Sequence, residues 1–246
     1  MLRRSDRRAC GPPALDRSRE PLCQCVRMHV GILGGTGPLG RGLALRLASA
    51  GASVTIGSRE APRAAEVVGA LHDRWPGHDL AIDGADNDAA ASCEIVVVAT
   101  PWEGVVPTVR SLAARLDGTV VVSVANALVK QGREMHAVVP PRGSMAATVQ
   151  AEAPGALVAA AGHHLPARDL EDLDRVLGSD VLVCSDHPEA TRSAMALVAS
   201  IDGLRPLDAG SLAQAGPIEA FTAVLVSVNI NYKAHSSLGL TGLDHV

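Results

Sequence analysis

Aromatic side chains are nearly missing from this chain: Phe221, Tyr232, Trp75 and Trp102 are the whole set among 246 residues. Its core must be filled by Ala, Val and Leu instead, which suits helices packed closely on a parallel sheet. A basic surface is missing as well. With a formal net charge of −4 and no interleaving of basic and aromatic residues, the chain offers no footprint for a nucleic acid. Long hydrophobic runs are also absent. None approaches the roughly 18 residues that mark a membrane span, so no membrane partner is expected. The five cysteines (Cys10, Cys23, Cys25, Cys93 and Cys184) are scattered without pairing logic. Cys23 and Cys25 form C-x-C, but no neighbouring Cys or His completes a metal site. The expectation is a reduced, cytoplasmic protein with no metal.

What is present begins after a distinct N-terminal stretch. Residues 1–27 carry seven arginines and three prolines and lack an apolar segment, so they do not read as a secretory signal. They are expected to form a disordered extension, and they are set aside for the fold. From Met28 onward the pattern alternates regularly. "MHVGILG" reads as a short buried strand, "PLGRGLALRLASAG" as a helix closed by Gly51, and "ASVTIGSR" as a second strand. A helix, a weak strand at "DLAIDG", a short helix through "ADNDAAASC", the strong apolar strand "EIVVVATP", a helix that Pro107 kinks or starts later, and the strand "GTVVVSVAN" follow. This β-α-β-α order predicts an α/β fold, a doubly wound parallel sheet of the Rossmann type. After Asn126 the pattern loosens into loop and short helix. Two further strands follow at "GALVAAAGHHLPA" and "DVLVCSD", then a helix at "HPEATRSAMALVASID", a third strand at "LRPLDAG" and a long apolar final helix from "SLAQAG". Three parts are expected: the 1–27 extension, a nucleotide-binding domain over residues 28–165, and a smaller C-terminal part over residues 166–246 that caps the sheet.

The turn between the first strand and helix, "GGTGPLG", matches G-x-G-x-x-G at Gly35, Gly37 and Gly40. In that reading Gly35 permits the tight turn, Gly37 lets the backbone approach a pyrophosphate, and Gly40 lets the helix pack on the strand. The helix N-terminus then offers free N–H groups and a positive dipole end to phosphates. The second strand ends "IGSRE", where an NAD enzyme carries an acid for the ribose hydroxyls. Here Gly57 or Ser58 takes that place and Arg59 follows at once. A guanidinium forks onto phosphate and a hydroxyl adds a hydrogen bond, which selects the 2′-phosphate of NADP. Glu60 either points away or pairs with Arg63. Thr100 and Pro101 end the fourth strand at the carboxyl edge, where open α/β sheets bind ligands; the alternative for Thr100 is a helix N-cap. Asn126 and Ala127 end the fifth strand at the same edge and are candidate neighbours of the nicotinamide.

"MHVGILGGTGPLGRGLALRLASAGASVTIGSRE", with "ATPWEG", "HHLPA", "IDGLRPLDAG" and the terminal "NYKAHSSLGLTGL", resembles the NADPH-dependent reductases of coenzyme F420, also called F420H2:NADP oxidoreductases. The resemblance runs from about Met28 to Leu243. It implies direct hydride transfer between the nicotinamide of NADP and the deazaflavin of coenzyme F420, with the C-terminal part closing over a cleft between the two. It further implies that Thr36, Ser58 and Arg59 hold phosphates and that Gly37, Pro38 and Leu39 lie in the pyrophosphate turn. Thr100 and Pro101 would lie beside the cofactor, and His163, Asp208, Glu219 and Thr222 on the F420 side. His163 or His164 could assist a proton, although a structural hydrogen bond is the simpler account of such a histidine. No residue is singled out as catalytic.

Two rival functions fit the same N-terminal half. A reductase of a small imine, ketone or pyrroline would need a proton donor, for which Asp208, Tyr232 and Lys233 are the candidates. A non-catalytic NADP-binding sensor would need none. The apolar last helix suits a homodimer interface, with burial inside the same chain as the alternative.

Overall fold

The computed structural model describes residues 28–243. The expected disordered extension, with Cys10, Cys23 and Cys25, lies outside the described residues. The chain opens with β1 (His29–Leu33), α1 (Pro38–Ser49), β2 (Ser53–Ser58), α2 (Ala61–Arg74), β3 (Ile82–Asp86) and the one-turn α3 (Asn87–Ala90). It continues through β4 (Ile95–Val98), α4 (Trp102–Leu112), β5 (Val120–Ser123), the short strands β6 (Leu128–Gln131) and β7 (Glu134–Ala137), and α5 (Met145–Glu152). The second half adds β8 (Leu157–Ala160), α6 (Ala167–Leu170), β9 (Ser179–Ser185), α7 (Pro188–Ala199) and β10 (Leu204–Asp208). A 3-10 turn (Leu212–Gln214) then leads into α8 (Ala215–Tyr232).

The main sheet has eight strands in the order β10-β9-β8-β5-β4-β1-β2-β3. From β3 to β8 every neighbouring pair is parallel. Apolar residues alternate between its two faces. Val30, Ile32, Val97 and Val122 meet α1, α2 and α7 on one side, while Leu33, Val96, Val98 and Val121 meet α3, α4 and α5 on the other. This double burial is why the strands read as unbroken apolar runs. Each such Val or Leu contributes about 1.5–3 kcal/mol when removed from water. The aromatic-poor composition is thus matched by a thin, close-packed αβα sandwich.

The sheet departs from the all-parallel expectation at one junction. β9 runs antiparallel to β8, and only Ala159↔Ser185 and Ala160↔Cys184 pair, while β10 is again parallel to β9. β9 therefore starts beyond the carboxyl end of β8 and carries the sheet over that edge. A second departure is the β6–β7 hairpin, which occupies a stretch expected to be loop. Gln131 pairs with Glu134, leaving the two-residue turn Gly132–Arg133. Gly132 has φ 61°, as a type II′-like turn requires of its first central residue. Both strands are largely exposed, so they lack the apolar alternation that marks a strand. The hairpin lies against α8, where the Met135 N–H donates to Ser227 Oγ at 3.3 Å. Pro107 does not end α4, which continues through it with one backbone donor fewer.

Candidate functional site

Leu33 ends β1 and the chain turns sharply into α1. The left-handed residue of that turn is Gly34 (φ 66°), one place before the glycine to which the motif reading gives this role. A Cβ there would also stand 2.4 Å from Thr100 Cγ2. Gly35 instead docks β1 against β2: its N–H reaches the Ile32 and Gly57 carbonyls at 3.1 and 3.0 Å. Gly40 packs on Gly35, and a Cβ on it would lie 2.6 Å from Gly35 Cα, so its close-packing role is met in the geometry. Gly37 differs from all of these. It caps α1 with φ −75°, and a Cβ on it would meet nothing nearer than the Gly34 carbonyl at 3.8 Å. Neither backbone strain nor any protein neighbour demands a glycine there.

Gly37 borders a cleft of about 1020 Å³ at the carboxyl edge of β1, β2 and β4. Of the sequence candidates, Thr36, Gly37, Ser58, Arg59, Thr100 and Pro101 line it; Gly34, Glu60, Arg63, Asn87, Gly104, Pro107, Thr108 and Ser111 complete the wall. Gly35, Pro38, Leu39, Gly40, Asn126 and Ala127 stand behind or beside this wall rather than on it. Ala127 is a core residue. At one end of the cleft Ser58 Oγ accepts the Glu60 N–H at 3.3 Å and turns the chain into α2. Glu60 caps α2 by its backbone alone, its carboxylate makes no capping hydrogen bond, and no further acid follows in the first turn. Arg59 and Arg63 line the same end, and neither guanidinium is joined to a carboxylate among the described residues. The expected alternative of a Glu60–Arg63 ion pair is therefore not formed. Thr100 is not an N-cap either: Pro101 caps α4, and Thr100 Oγ1 is buried without a hydrogen-bond partner.

Asn87 and Arg63 were not legible as site residues. α3 reaches the cleft because β1 and β2 each lack a side chain beneath it. A Cβ on Gly31 would stand 1.8 Å from the Ala90 carbonyl, and one on Gly57 would stand 2.8 Å from Ala90 Cβ and from Asn87 Oδ1. The Gly34 N–H donates to Asn87 Oδ1 at 3.3 Å, which leaves the amide nitrogen as a donor on the cleft wall. No spacing rule announces such a residue. For Arg63, a second cation one helical turn beyond Arg59 was the available signal.

A second polar group sits along the ends of β5 and β8, roofed by the start of α8. Asn126 Nδ2 donates to the His163 carbonyl at 2.7 Å. His163 is buried with neither ring nitrogen partnered, and burial pushes its imidazole down to about 3. Its Nε2 stands 3.8 Å from Glu219 Oε1. Glu219 is buried too. Its two oxygens accept the first amides of α5, Met145 N–H at 2.7 Å and Ala146 N–H at 3.0 Å, yet burial still lifts its carboxyl to about 7. Thr222 Oγ1, Ser123 Oγ and Asn126 Oδ1 are likewise buried and unpaired. By contrast, His164 is spoken for: its Nε2 meets Ser179 Oγ at 3.1 Å and the Asp180 carbonyl at 2.9 Å. Asp208 does not join the group; it is exposed and accepts the N–H of Gly210 at 2.8 Å. Tyr232 and Lys233 are exposed at the far end of α8, so the donors a carbonyl or imine reductase would need do not converge on the buried group.

Comparison with known proteins agrees with this geometry. Residues 29–127 match the family described as "NADP oxidoreductase coenzyme F420-dependent". The chain is 35% identical to the F420-dependent NADP reductase of Methanocaldococcus jannaschii over 223 residues, covering 88% of this chain and all of the relative. It is 33% identical to the F420-dependent NADP reductase of Methanothermobacter thermautotrophicus, with 88% and 95% covered. A solved structure of a putative F420-dependent NADP reductase from Arthrobacter sp. superposes with TM-score 0.74 at 24% identity, covering 87% of this chain and 99% of that one. With a glycine turn at a helix N-terminus, a Rossmann sheet and relatives matched along nearly its whole described length, the chain belongs to the F420-dependent NADP reductase family.

Proposed function

We propose that this protein transfers a hydride reversibly between NADP(H) and coenzyme F420. The observation that carries the NADP half is the cleft end at Ser58, Arg59 and Arg63, where β2 ends without an acid and two arginines without a carboxylate partner line the cleft, reached from a glycine that no protein atom requires. An empty Cβ position at Gly37 and the free amide nitrogen of Asn87 fit a phosphorylated dinucleotide. Thr36, Gly37 and the start of α1 would hold the pyrophosphate, with Pro38 and Leu39 behind it. Ser58, Arg59 and Arg63 would hold the 2′-phosphate, and Thr100 and Pro101 would flank the nucleotide.

When both cofactors are bound, the nicotinamide and the deazaflavin supply the hydride chemistry themselves. The protein's part is to orient two flat rings, exclude water and manage one proton. Asn126, His163 and Thr222 present unpaired buried polar atoms suited to the edge of the second ring, and Glu219, whose two oxygens accept amides of α5, ties α8 to α5 behind them. Asp208 closes the neighbouring turn. In this reading residues 28–165 form the nucleotide part, and residues 166–246 close over the F420 side. Among the described residues no helix is long and apolar enough to cross a membrane. We infer a cytoplasmic homodimer, because α8 leaves Phe221, Val224 and Tyr232 exposed on a helix that is apolar all round. Light scattering would check the dimer, and a monomer at micromolar concentration would refute it.

The deciding experiment is stopped-flow absorbance of the purified protein with NADPH and oxidised F420. The deazaflavin band should bleach at a rate saturating in both cofactors; an unchanged band overturns the reading.

A further inference from the structure

Reduction of a deazaflavin by NADPH needs more than a hydride. The C4–H bond of NADPH breaks with its electron pair and a C–H bond forms at deazaflavin C5. The ring nitrogen conjugated to that carbon then takes one proton, leaving NADP⁺. The balance NADPH + F420 + H⁺ → NADP⁺ + reduced F420 leaves open where that proton waits. This question rests on the hydride-transfer reading above.

Among the described residues, Glu219 and His163 are a nearly solvent-free acid and base side by side. Their side chains are 6% and 0% exposed. Glu219 is pinned by two backbone amides and cannot swing out to solvent. His163 is pinned through its own carbonyl by Asn126, which leaves both ring nitrogens free to exchange a proton. The other ionisable groups around them do not compete. His164 is committed to Ser179 and Asp180. The Cys184 thiol, which faces Glu219, Asp186 and Asp208, is pushed up to about 12 by its burial and stays protonated. Asp208 is bound to its own turn, and Asp186 Oδ1 accepts the Leu212 N–H at 3.0 Å.

We propose that Glu219 is a positioning residue that stores the proton consumed in the reaction and passes it through His163 to the reacting ring. In the forward direction the Glu219 carboxyl gives its proton to His163 Nε2, and His163 gives another from Nδ1 to the ring nitrogen. The imidazole ends neutral in its other tautomer, and solvent then reprotonates Glu219. The reverse reaction returns the proton the same way. An acid titrating near neutrality suits both directions, since neither form is strongly favoured.

The test compares wild-type protein with Glu219→Gln and Glu219→Asp in two measurements. First, infrared titration of the protein without cofactors should show a protonated-carboxyl band that fades as pH rises through about 7 and is missing in Glu219→Gln. Second, single-turnover F420 reduction should slow in the wild type as pH rises above that value. Glu219→Gln should be slower on the order of a hundredfold and flat with pH, with NADP affinity unchanged. Glu219→Asp should recover part of the rate and the pH slope. A wild-type pH profile in Glu219→Gln, or no such carboxyl band, overturns the proposal. A wild-type protein that never bleaches F420 defeats the hydride-transfer reading instead, while the infrared titration still decides where the carboxyl's proton resides.

Discussion

The two halves of the candidate site solve opposite problems. The nucleotide half is open and short of side chains. Glycines at positions 31, 34, 35, 40 and 57 bring backbone onto backbone, and the charges that matter, Arg59 and Arg63, stand exposed without partners. The inner half at the ends of β5 and β8 is closed, and its polar groups are buried without partners. An exposed guanidinium loses little by waiting in water, whereas a buried unpaired imidazole or hydroxyl carries its desolvation cost until something binds. The first half therefore offers exposed charge to the cleft, and the second holds unpaired polar atoms in a dry setting. The difference explains why the first is written in local motifs and the second is not.

The comparison can be broken first at its steric base. Gly31→Ala would drive a methyl into the Ala90 carbonyl and lift α3, with Asn87, off the cleft. A loss of about 3 kcal/mol is expected from such overpacking, read as a lower melting temperature together with weaker NADP binding. A variant that melts with the wild type would show that α3 is not seated as described. Next comes charge recognition. Arg59→Ala should weaken NADP about thirtyfold, the worth of roughly 2 kcal/mol in charged hydrogen bonds, and leave NAD nearly unchanged. Calorimetric titration with both nucleotides decides it, and equal losses would remove the 2′-phosphate from Arg59.

The inner half is sharpened by pH. Unfolded His163 takes up a proton below its ordinary 6.5 while the folded imidazole resists until about 3, so its contribution is complete above 6.5 and is lost as pH falls. Glu219 has the opposite sign: its folded carboxyl holds a proton up to about 7 against an ordinary 4.5, so that contribution is complete below 4.5 and is lost as pH rises through about 7. The two offset one another between 4.5 and 6.5. Glu219→Gln should remove the alkaline decline and keep the acid one in melting curves against pH. An unchanged alkaline limb would place its cause elsewhere. The smallest effect belongs to the surface. Arg110 and Glu152 pair at 2.8 Å in the open, and Arg110→Ala should leave both the melting temperature and nucleotide binding unaltered within error.

How much of this was legible follows the same division. "GGTGPLG" and "GSR" could be read because a tight turn, a helix N-terminus and a guanidinium at a strand end are consequences of a few consecutive residues. Even there the reading slipped by one: it gave the tight turn to Gly35, and only the backbone angles place it at Gly34. The β6–β7 hairpin escaped because its exposed strands show no apolar period, although the Gly132–Arg133 turn was a usable sign. The reversal at β9 had no local signal, since parallel and antiparallel neighbours present the same buried apolar strand.

Sequence alone determined the αβα class, the glycine turn at a helix N-terminus, the arginine after β2 and the family, because each rests on short-range backbone chemistry or on side-chain type. Tertiary structure decided which polar residues lose water and which do not. Glu219 meets His163 only because β8, α5 and α8 converge on one edge of the sheet, and Asp208, from a segment equally suggestive in sequence, is left in solvent. Burial is a property of the packed whole, and here it separates a proton-holding pair from a surface carboxylate.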